Sequence, residues 1–313
     1  MRVVYLAAFA HSWSTETHLA RDMARIPGVE VVKVTEPQDA RPGFLADLET
    51  LCAGADLLVY QKTHGLPPTA VDVWRRIETR GCQTASYHLD LYVGLPRERE
   101  IGVDPFWKTG TVFTADGDPR SAEVFKSKGV NHRWLPAAVV SDETEPGTYR
   151  AEYDHDVVFV GSERYHPQWK WRPELIGFLR KRYGPRFKLY GHHPPTRGRD
   201  LNDLYASARV VVGDSLALPG HTNYWSDRYP ETLGRGGFLI APWVPGIGAH
   251  FVDCLHFISY DPGETRGLAV LIDHALDNPA AMRKIADEGH AHVVANHTYE
   301  KRARQMLTEL GLA

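Results

Sequence analysis

Cysteine is scarce in this chain: Cys52, Cys82 and Cys254 are an odd set of three without metal-ligand spacing. Neither a disulfide framework nor a zinc site is expected from them. No apolar run approaches the roughly 18 residues of a membrane-spanning helix, so no membrane span is expected. Met1 to Leu6 read as a strand too early and too short for a secretory signal, which points to a cytoplasmic protein. Neither sign of charge is in excess, and a formal net charge of −3 argues against a broad nucleic-acid surface. The one local basic group, Arg180-Lys181-Arg182 with Arg186 and Lys188, fits the C-terminal end of a helix, where cations complement the dipole. Low-complexity tracts and repeats longer than a strand-helix unit are also missing.

What is present is the composition of an ordinary globular protein, 43% hydrophobic and 24% charged. A length of 313 residues is long for one core and comfortable for two. Short apolar runs alternate with helical patterns from the start, as a parallel sheet requires. Strands are expected at Arg2 to Ala7, Val29 to Val34, Asp56 to Tyr60, Cys82 to Tyr87 and Thr111 to Ala115. A polar stretch from Ser141 to Asp156, with Pro146-Gly147, reads as a linker. Beyond it a second series of strands opens at Asp156 to Val160 and runs into Gly161-Ser162. The domains are therefore expected at 1–145 and 153–295, with a terminal helix over 296–313. The segment from Val93 to Thr109 is long enough to be a functional loop or lid.

The most informative stretch runs from Tyr224 to Ile240, setting a loop, a short helix, a glycine turn and a buried strand in succession. Asp227 is the expected N-cap, Pro230 fits a first helical turn, and Gly236-Gly237 ends the helix in the left-handed region. Arg228 and Glu231, three residues apart, project from one face. A guanidinium suits a phosphate, and an ionised carboxylate accepts both hydroxyl protons of a ribose. The bland reading is an ion pair between the two on a solvated helix.

The run Ser226-Asp227-Arg228-Tyr229, then Glu231-Thr232-Leu233-Gly234-Arg235-Gly236-Gly237-Phe238-Leu239-Ile240, resembles the C-terminal domain of the CgeB-like, spore-protein type glycosyltransferases. His256 to Tyr260, Asn278-Pro279 and Asn296 to Arg302 continue the resemblance over the last third of the chain. That family lies among the group 1 glycosyl transferases of the GT-B superfamily. The resemblance implies an α/β fold of two Rossmann-like domains with parallel sheets facing an interdomain cleft. The second would hold a nucleotide-diphosphate sugar, UDP-linked, and the first would present an acceptor hydroxyl, with the terminal helix packing back toward the first domain. By motif position Glu231 would bind the donor ribose and Arg228 lie near the diphosphate. Gly161 and Ser162 would offer backbone amides to the diphosphate, Arg164 and Arg172 nearby cations, and Gly191-His192 the contact with the base. Asn223 and Thr232 complete the expected donor set.

Candidates for the catalytic base are Asp90, then His11, with His88 and Asp104 also in loops after strands or in the long connection. Desolvation can raise a carboxylate toward neutrality, whereas a histidine titrates there already. Asp116-Gly117-Asp118 imitates a metal-binding Asp-x-Asp but reads as a strand-turn-helix junction before Pro119, so neither a metal nor another cofactor is expected. The acceptor is left open among a hydroxymethylated base in phage-type DNA, a surface glycan and a protein. An epimerase or hydrolase acting on sugar nucleotides, or a binding protein without turnover, would share Arg228 and Glu231.

Overall fold

In the computed structural model, which describes residues 1–39, 43–163, 168–191 and 196–313, the strand-helix alternation resolves into two parallel sheets. Each lies in its own unit, residues 1–136 with 299–313 and residues 137–298. In the first unit β1 is Arg2–Ala7, β2 Glu30–Thr35, β3 Leu57–Tyr60, β4 Gln83–His88, β5 Thr111–Thr114 and β6 His132–Trp134. Helices α1 (Thr15–Met23), α2 (Phe44–Leu51), α3 (Ala70–Thr79) and α4 (Pro119–Ser127) connect them. The strand order is β2-β1-β3-β4-β5-β6 and every ladder is parallel.

A parallel strand covered on both faces must be apolar throughout. Accordingly all of Leu57–Tyr60 in β3 is buried, while β2 at the sheet edge is partly exposed along its length. The segment from Val93 to Thr109 is a correction to the expected lid. It forms two 3-10 turns, Pro96–Glu100 and Pro105–Lys108, and drives Phe106 and Trp107 into the core at 0% and 1% exposure. Trp74 Nε1 donates to the Pro105 carbonyl at 3.1 Å and Ser86 Oγ to the Phe106 carbonyl at 2.8 Å, so this segment is a packed wall.

In the second unit β7 is Val157–Val160, α5 Trp171–Tyr183, β8 Phe187–Tyr190, α6 Gly198–Ser207 and β9 Val210–Val212. Then follow α7 (Arg228–Gly234), β10 (Leu239–Pro242), β11 (Ile258–Tyr260), α8 (Thr265–Asp277) and α9 (Pro279–Asn296). The order is β11-β10-β9-β7-β8, again all parallel. The last helix, α10 (Tyr299–Glu309), belongs to the first unit, where Arg302 Nε donates to the Pro136 carbonyl at 2.8 Å and Tyr299 lies beside His18 of α1.

The stretch read as a linker is fastened to the second unit. Thr148 N donates to Asp203 Oδ1 and Arg150 N to Ser207 Oγ, both at 2.8 Å, and Asn202 Nδ2 donates to the carbonyls of Glu143 and Glu145 at 2.9 and 2.7 Å. Polar composition here marks backbone hydrogen bonding to α6 instead of freedom.

Helix α7 ends where expected, with Gly236 at φ +81°. Its start differs: Asp227 is itself helical at φ −54°, ψ −20°, and its side chain caps nothing. Ser226 Oγ instead accepts from Arg228 N at 3.4 Å. Two glycines then let α7 lie close to α9. A Cβ on Gly234 would stand 2.6 Å from Val139 Cγ1 and 2.9 Å from Val293 Cγ1. One on Gly289 would collide with the His256 carbonyl and press on Leu233 at 3.1 Å. Backbone cannot swing aside as a side chain does, so Gly289→Ala should destabilise the protein by about 1–3 kcal/mol. Urea unfolding checks this, and an unchanged midpoint would show that α9 can slide without cost.

Candidate functional site

In an open parallel sheet, ligands settle beyond the carboxyl ends of the strands at the point where the winding reverses. In the second unit that point lies between β7 and β9, neighbours in the sheet but not in sequence. Gly161-Ser162 follow the first of these strands and Gly213-Asp214 the second.

Arg228 reaches this crevice from the first turn of α7. Its Nε donates to the Val160 carbonyl at 3.2 Å, and its guanidinium lies over the Phe159 ring, 5.5 Å from the centroid. A Cβ on Gly161, which has φ +140°, would collide with Arg228 Nη2, so only glycine admits this approach. The nearest carboxylate to its terminal amines is Asp227, at 3.8 Å from Nη1, beyond hydrogen-bond length. Among the described residues those amines have no hydrogen-bond partner.

A second guanidinium stands close by. Arg172 of α5 is buried and donates through Nε to Asp214 Oδ2 at 2.8 Å, and Asp214 is fully buried. Trp169 Nε1 donates to both Asp214 oxygens, at 2.9 and 3.0 Å. Burial first, and then the neighbouring Arg228 cation, push the Arg172 guanidinium below its usual pKa, against the pull of Asp214. The Asp214 backbone is fixed as well, since Ser226 Oγ donates to its carbonyl at 2.8 Å and Ser226 N donates to Ser215 Oγ at 3.0 Å. Ser162 Oγ is buried beside Gly161 with no hydrogen-bond partner among the described residues.

Glu231 is the next group along α7. It does not pair with Arg228: its Oε2 takes the Nε of Arg235 at 2.9 Å. Arg235 is 1% exposed and also donates to Asn202 Oδ1 at 2.6 Å and Glu143 Oε2 at 2.5 Å. Desolvation pushes the Glu231 carboxyl above its usual value, and the Arg235 cation works against that. The Glu231 side chain keeps 20% exposure, and its Oε1 has no partner among the described residues.

Other expected donor residues fall differently. Thr232, at 1% exposure, packs under Gly237 and bonds Tyr205, so it faces the core. Asn223 sits in the left-handed region at φ +53°, its side chain against Gly246 and its N–H on the Pro245 carbonyl at 2.8 Å, which makes it a clamp on the loop after β10. Gly191 follows β8 next to Gly161, whose N–H donates to the Tyr190 carbonyl at 2.8 Å. Arg164 and His192 lie outside the described residues.

In the first unit the four candidate bases separate. A neutral imidazole has one acceptor nitrogen. His88 gives it to the Asp90 N–H, with Nδ1 at 3.0 Å, and burial holds the ring below its usual value. Asp90 Oδ2 is held by Arg97 Nη1 at 2.9 Å. His11, in the loop after β1, is exposed and stacked on Trp13 at 4.4 Å, and its ring nitrogens have no partner among the described residues. Its carbonyl gathers the Ser14 N–H and the hydroxyls of Ser14 and Thr17, so backbone and ring are both oriented. Asp104 caps the turn at Phe106 and binds Lys62 at 2.7 Å. Asp118 caps α4 through the Arg120 N–H at 2.7 Å, as a turn would. Among the described residues no three His, Cys, Asp or Glu side chains are grouped to hold a metal ion, and no helix is long and apolar enough to cross a membrane.

Sequence reasoning missed Asp214, Trp169, Arg235, Asn202 and Glu143. Two had a readable signal: Asp214 follows a strand at the winding reversal, and Arg235 stands four residues after Glu231.

The profile of a family described as glycosyl transferase-like matches residues 151–308. No protein of curated function matches the sequence. Among solved structures, the chain is similar to HepE of Anabaena in complex with UDP and glucose, at 14% identity and TM-score 0.67 over 100% of both chains. It is similar to sucrose-phosphate synthase of Thermosynechococcus elongatus at 15% identity and TM-score 0.65, covering 99% of this chain and 98% of that one. A Listeria monocytogenes protein described as a UDP-N-acetylglucosamine 2-epimerase is similar at 10% identity and TM-score 0.53, covering 99% and 95%. Likeness at such identities establishes the fold alone.

Removing one partner of a buried ion pair leaves an uncompensated charge. Asp214→Asn should therefore destabilise the protein by about 3–5 kcal/mol, and the double variant with Arg172→Met should recover part of that loss. Urea unfolding of the single and double variants reads both; equal loss in the two would show that the charge on Arg172 is not the issue.

Proposed function

Since the chain belongs to the glycosyl transferase-like family, we propose that it moves a sugar from a nucleotide-diphosphate donor, UDP-linked, to an acceptor hydroxyl. Its fold is that of the GT-B glycosyltransferases, two α/β units with parallel sheets. Within that fold we place it with the CgeB-like subtype. The observation that carries the reading is electrostatic. Two guanidiniums, Arg228 and Arg172, stand in one crevice at the winding reversal, and the buried carboxylate there, Asp214, is taken up by Arg172.

A diphosphate supplies the missing negative charge. Its oxygens meet the terminal amines of Arg228 in a fork that suits phosphate, and charge growing on the leaving group meets cations fixed before the reaction starts. Ser162 Oγ and the backbone at Gly161 serve the same oxygens. Glu231 accepts the ribose hydroxyls, through Oε1 and the remaining lone pair of Oε2. In this reading the cations do the work that a metal does in other transferases, so activity should survive EDTA.

His11 takes precedence over Asp90 as the base in the first unit, because Arg97 already engages the carboxylate. A glycan hydroxyl takes precedence over DNA as acceptor. In the basic group on α5 and after it, three of the five cations are paired, Arg180 with Glu163, Arg182 with Asp273 and Arg186 with Asp156, which reduces the charge a phosphate backbone would need. A sugar-nucleotide epimerase would use the same donor groups, as the likeness to the Listeria protein illustrates. Product analysis with an added acceptor separates the two: sugar moved to the acceptor supports transfer, and an isomerised or hydrolysed donor overturns it.

Donor affinity, read by titration calorimetry, should fall by about 1–3 kcal/mol in Glu231→Ala and by at least as much in Arg228→Ala. The ionised Glu231 is the binding form, and its pKa is raised by burial. Affinity should be full above that raised value and be lost as pH falls through it, beginning higher than an ordinary carboxylate would allow. Glu231→Gln should remove this acid limb. Unchanged affinity in Glu231→Ala would remove the carboxylate from the site.

A further inference from the structure

We propose that Arg235 and Glu143 are positioning residues that set the selectivity of Glu231 for a ribose over a deoxyribose. The inference rests on the reading of Glu231 as the ribose acceptor. Neither Arg235 nor Glu143 need touch the nucleotide; they act through the carboxylate.

The geometry is that of a closed fork. Arg235 offers Nε to Glu231 on the preceding turn of α7, Nη1 to Asn202 of α6 and Nη2 to Glu143 in the stretch before β7, at 2.9, 2.6 and 2.5 Å. Asn202 in turn spends its amide hydrogens on the carbonyls of Glu143 and Glu145. A Cβ on Gly147 would collide with the Asn202 backbone, so this stretch is pressed onto α6. Glu143 is thus fixed through both its backbone and its side chain, and through it the plane of the Arg235 guanidinium.

That plane fixes the Glu231 carboxylate. Oε2 is tied to Nε, and Oε1 is left open at the partly exposed end of the side chain. A carboxylate free to spin would present its lone pairs to a diol only part of the time. Arg235 also opposes the desolvation that raises the Glu231 pKa. A protonated Glu231 would carry a donor where a hydroxyl needs an acceptor.

The test compares UDP, GDP and ADP by titration calorimetry, then pairs the tightest binder with its 2′-deoxy form. Wild type is expected to prefer the ribonucleotide by about 10- to 100-fold, the scale of one hydrogen bond to a charged group. Arg235→Lys, which keeps the charge and loses the fork, should shrink the ratio to within about threefold, as Glu231→Ala does, and Glu143→Gln should shrink it partway. Partial unfolding lowers the number of sites equally for both nucleotides and leaves the ratio alone, so a merely structural role would not produce this result. Should Arg235→Lys fail to fold, Glu143→Gln decides by itself. A ratio lost in Glu231→Ala but kept in both other variants overturns the positioning role and leaves the ribose site standing. A wild type that ignores the 2′-hydroxyl, with Glu231→Ala binding as well, overturns the ribose site and this inference with it.

Discussion

A guanidinium can leave water only if acceptors wait for its N–H groups, and the second unit is built around that demand. Arg235 is 1% exposed, and the acceptors it requires come from α7 itself, from α6 and from the chain ahead of β7. Leaving such a cation unpaired would cost several kcal/mol, on the order of the whole stability margin of a domain. The segments are therefore not independent: a helix that must bring Arg235 to Asn202 and Glu143 has its rotation set, and that rotation aims Arg228 at the end of β7. The glycines at positions 234 and 289 set its depth against α9.

The second buried cation works differently. Arg172 has its own carboxylate in Asp214, and Trp169 donates to the same oxygens, so the loop after β7 and the loop after β9 are joined below the surface. Arg228 shares the crevice without a buried counter-ion. Folding has already brought the two guanidiniums together, which is the unfavourable part, and an anion entering later meets them oriented and partly desolvated. Preorganisation of this kind is where electrostatic catalysis draws most of its strength. It also explains why glycine is required at 161: the cation lies where any side chain would be.

Much of the fold is legible in the sequence, because a parallel strand between helices must be apolar at consecutive positions, and β1, β3, β7 and β9 read that way. Helix ends follow from local chemistry, as Gly236 shows. Two local readings fail for the same reason. Val93 to Thr109 looks like a loop because its polar residues dominate the pattern, yet Phe106 and Trp107 carry the packing. The stretch from Ser141 to Asp156 looks like a tether because it is polar, yet its backbone is hydrogen-bonded to α6. For the site, Arg228 and Glu231 stand out through type and spacing. Their supports do not, since Asn202 and Glu143 are 33 and 92 positions from Arg235 and no local pattern joins them.

Donor groups alone do not decide between transfer and other sugar-nucleotide chemistry, since the same fold carries a protein described as an epimerase. The distinction falls on the first unit. There the carboxyl edge of the sheet has its prominent cations neutralised: Lys62 lies between Asp104 and Glu100, and Arg97 against Asp90. With two cations against three carboxylates, these groups offer little to a polyanion and more to a neutral, hydroxyl-rich molecule. At the same edge His11 is exposed and held in orientation by Trp13 beneath it. An oriented, exposed imidazole is of use where a hydroxyl must lose a proton. In the proposed reading a saccharide hydroxyl is such a neutral acceptor with a proton to lose, and the shortage of free cations at this edge supports it over nucleic acid for the same physical reason that the paired guanidiniums of the second unit support a diphosphate.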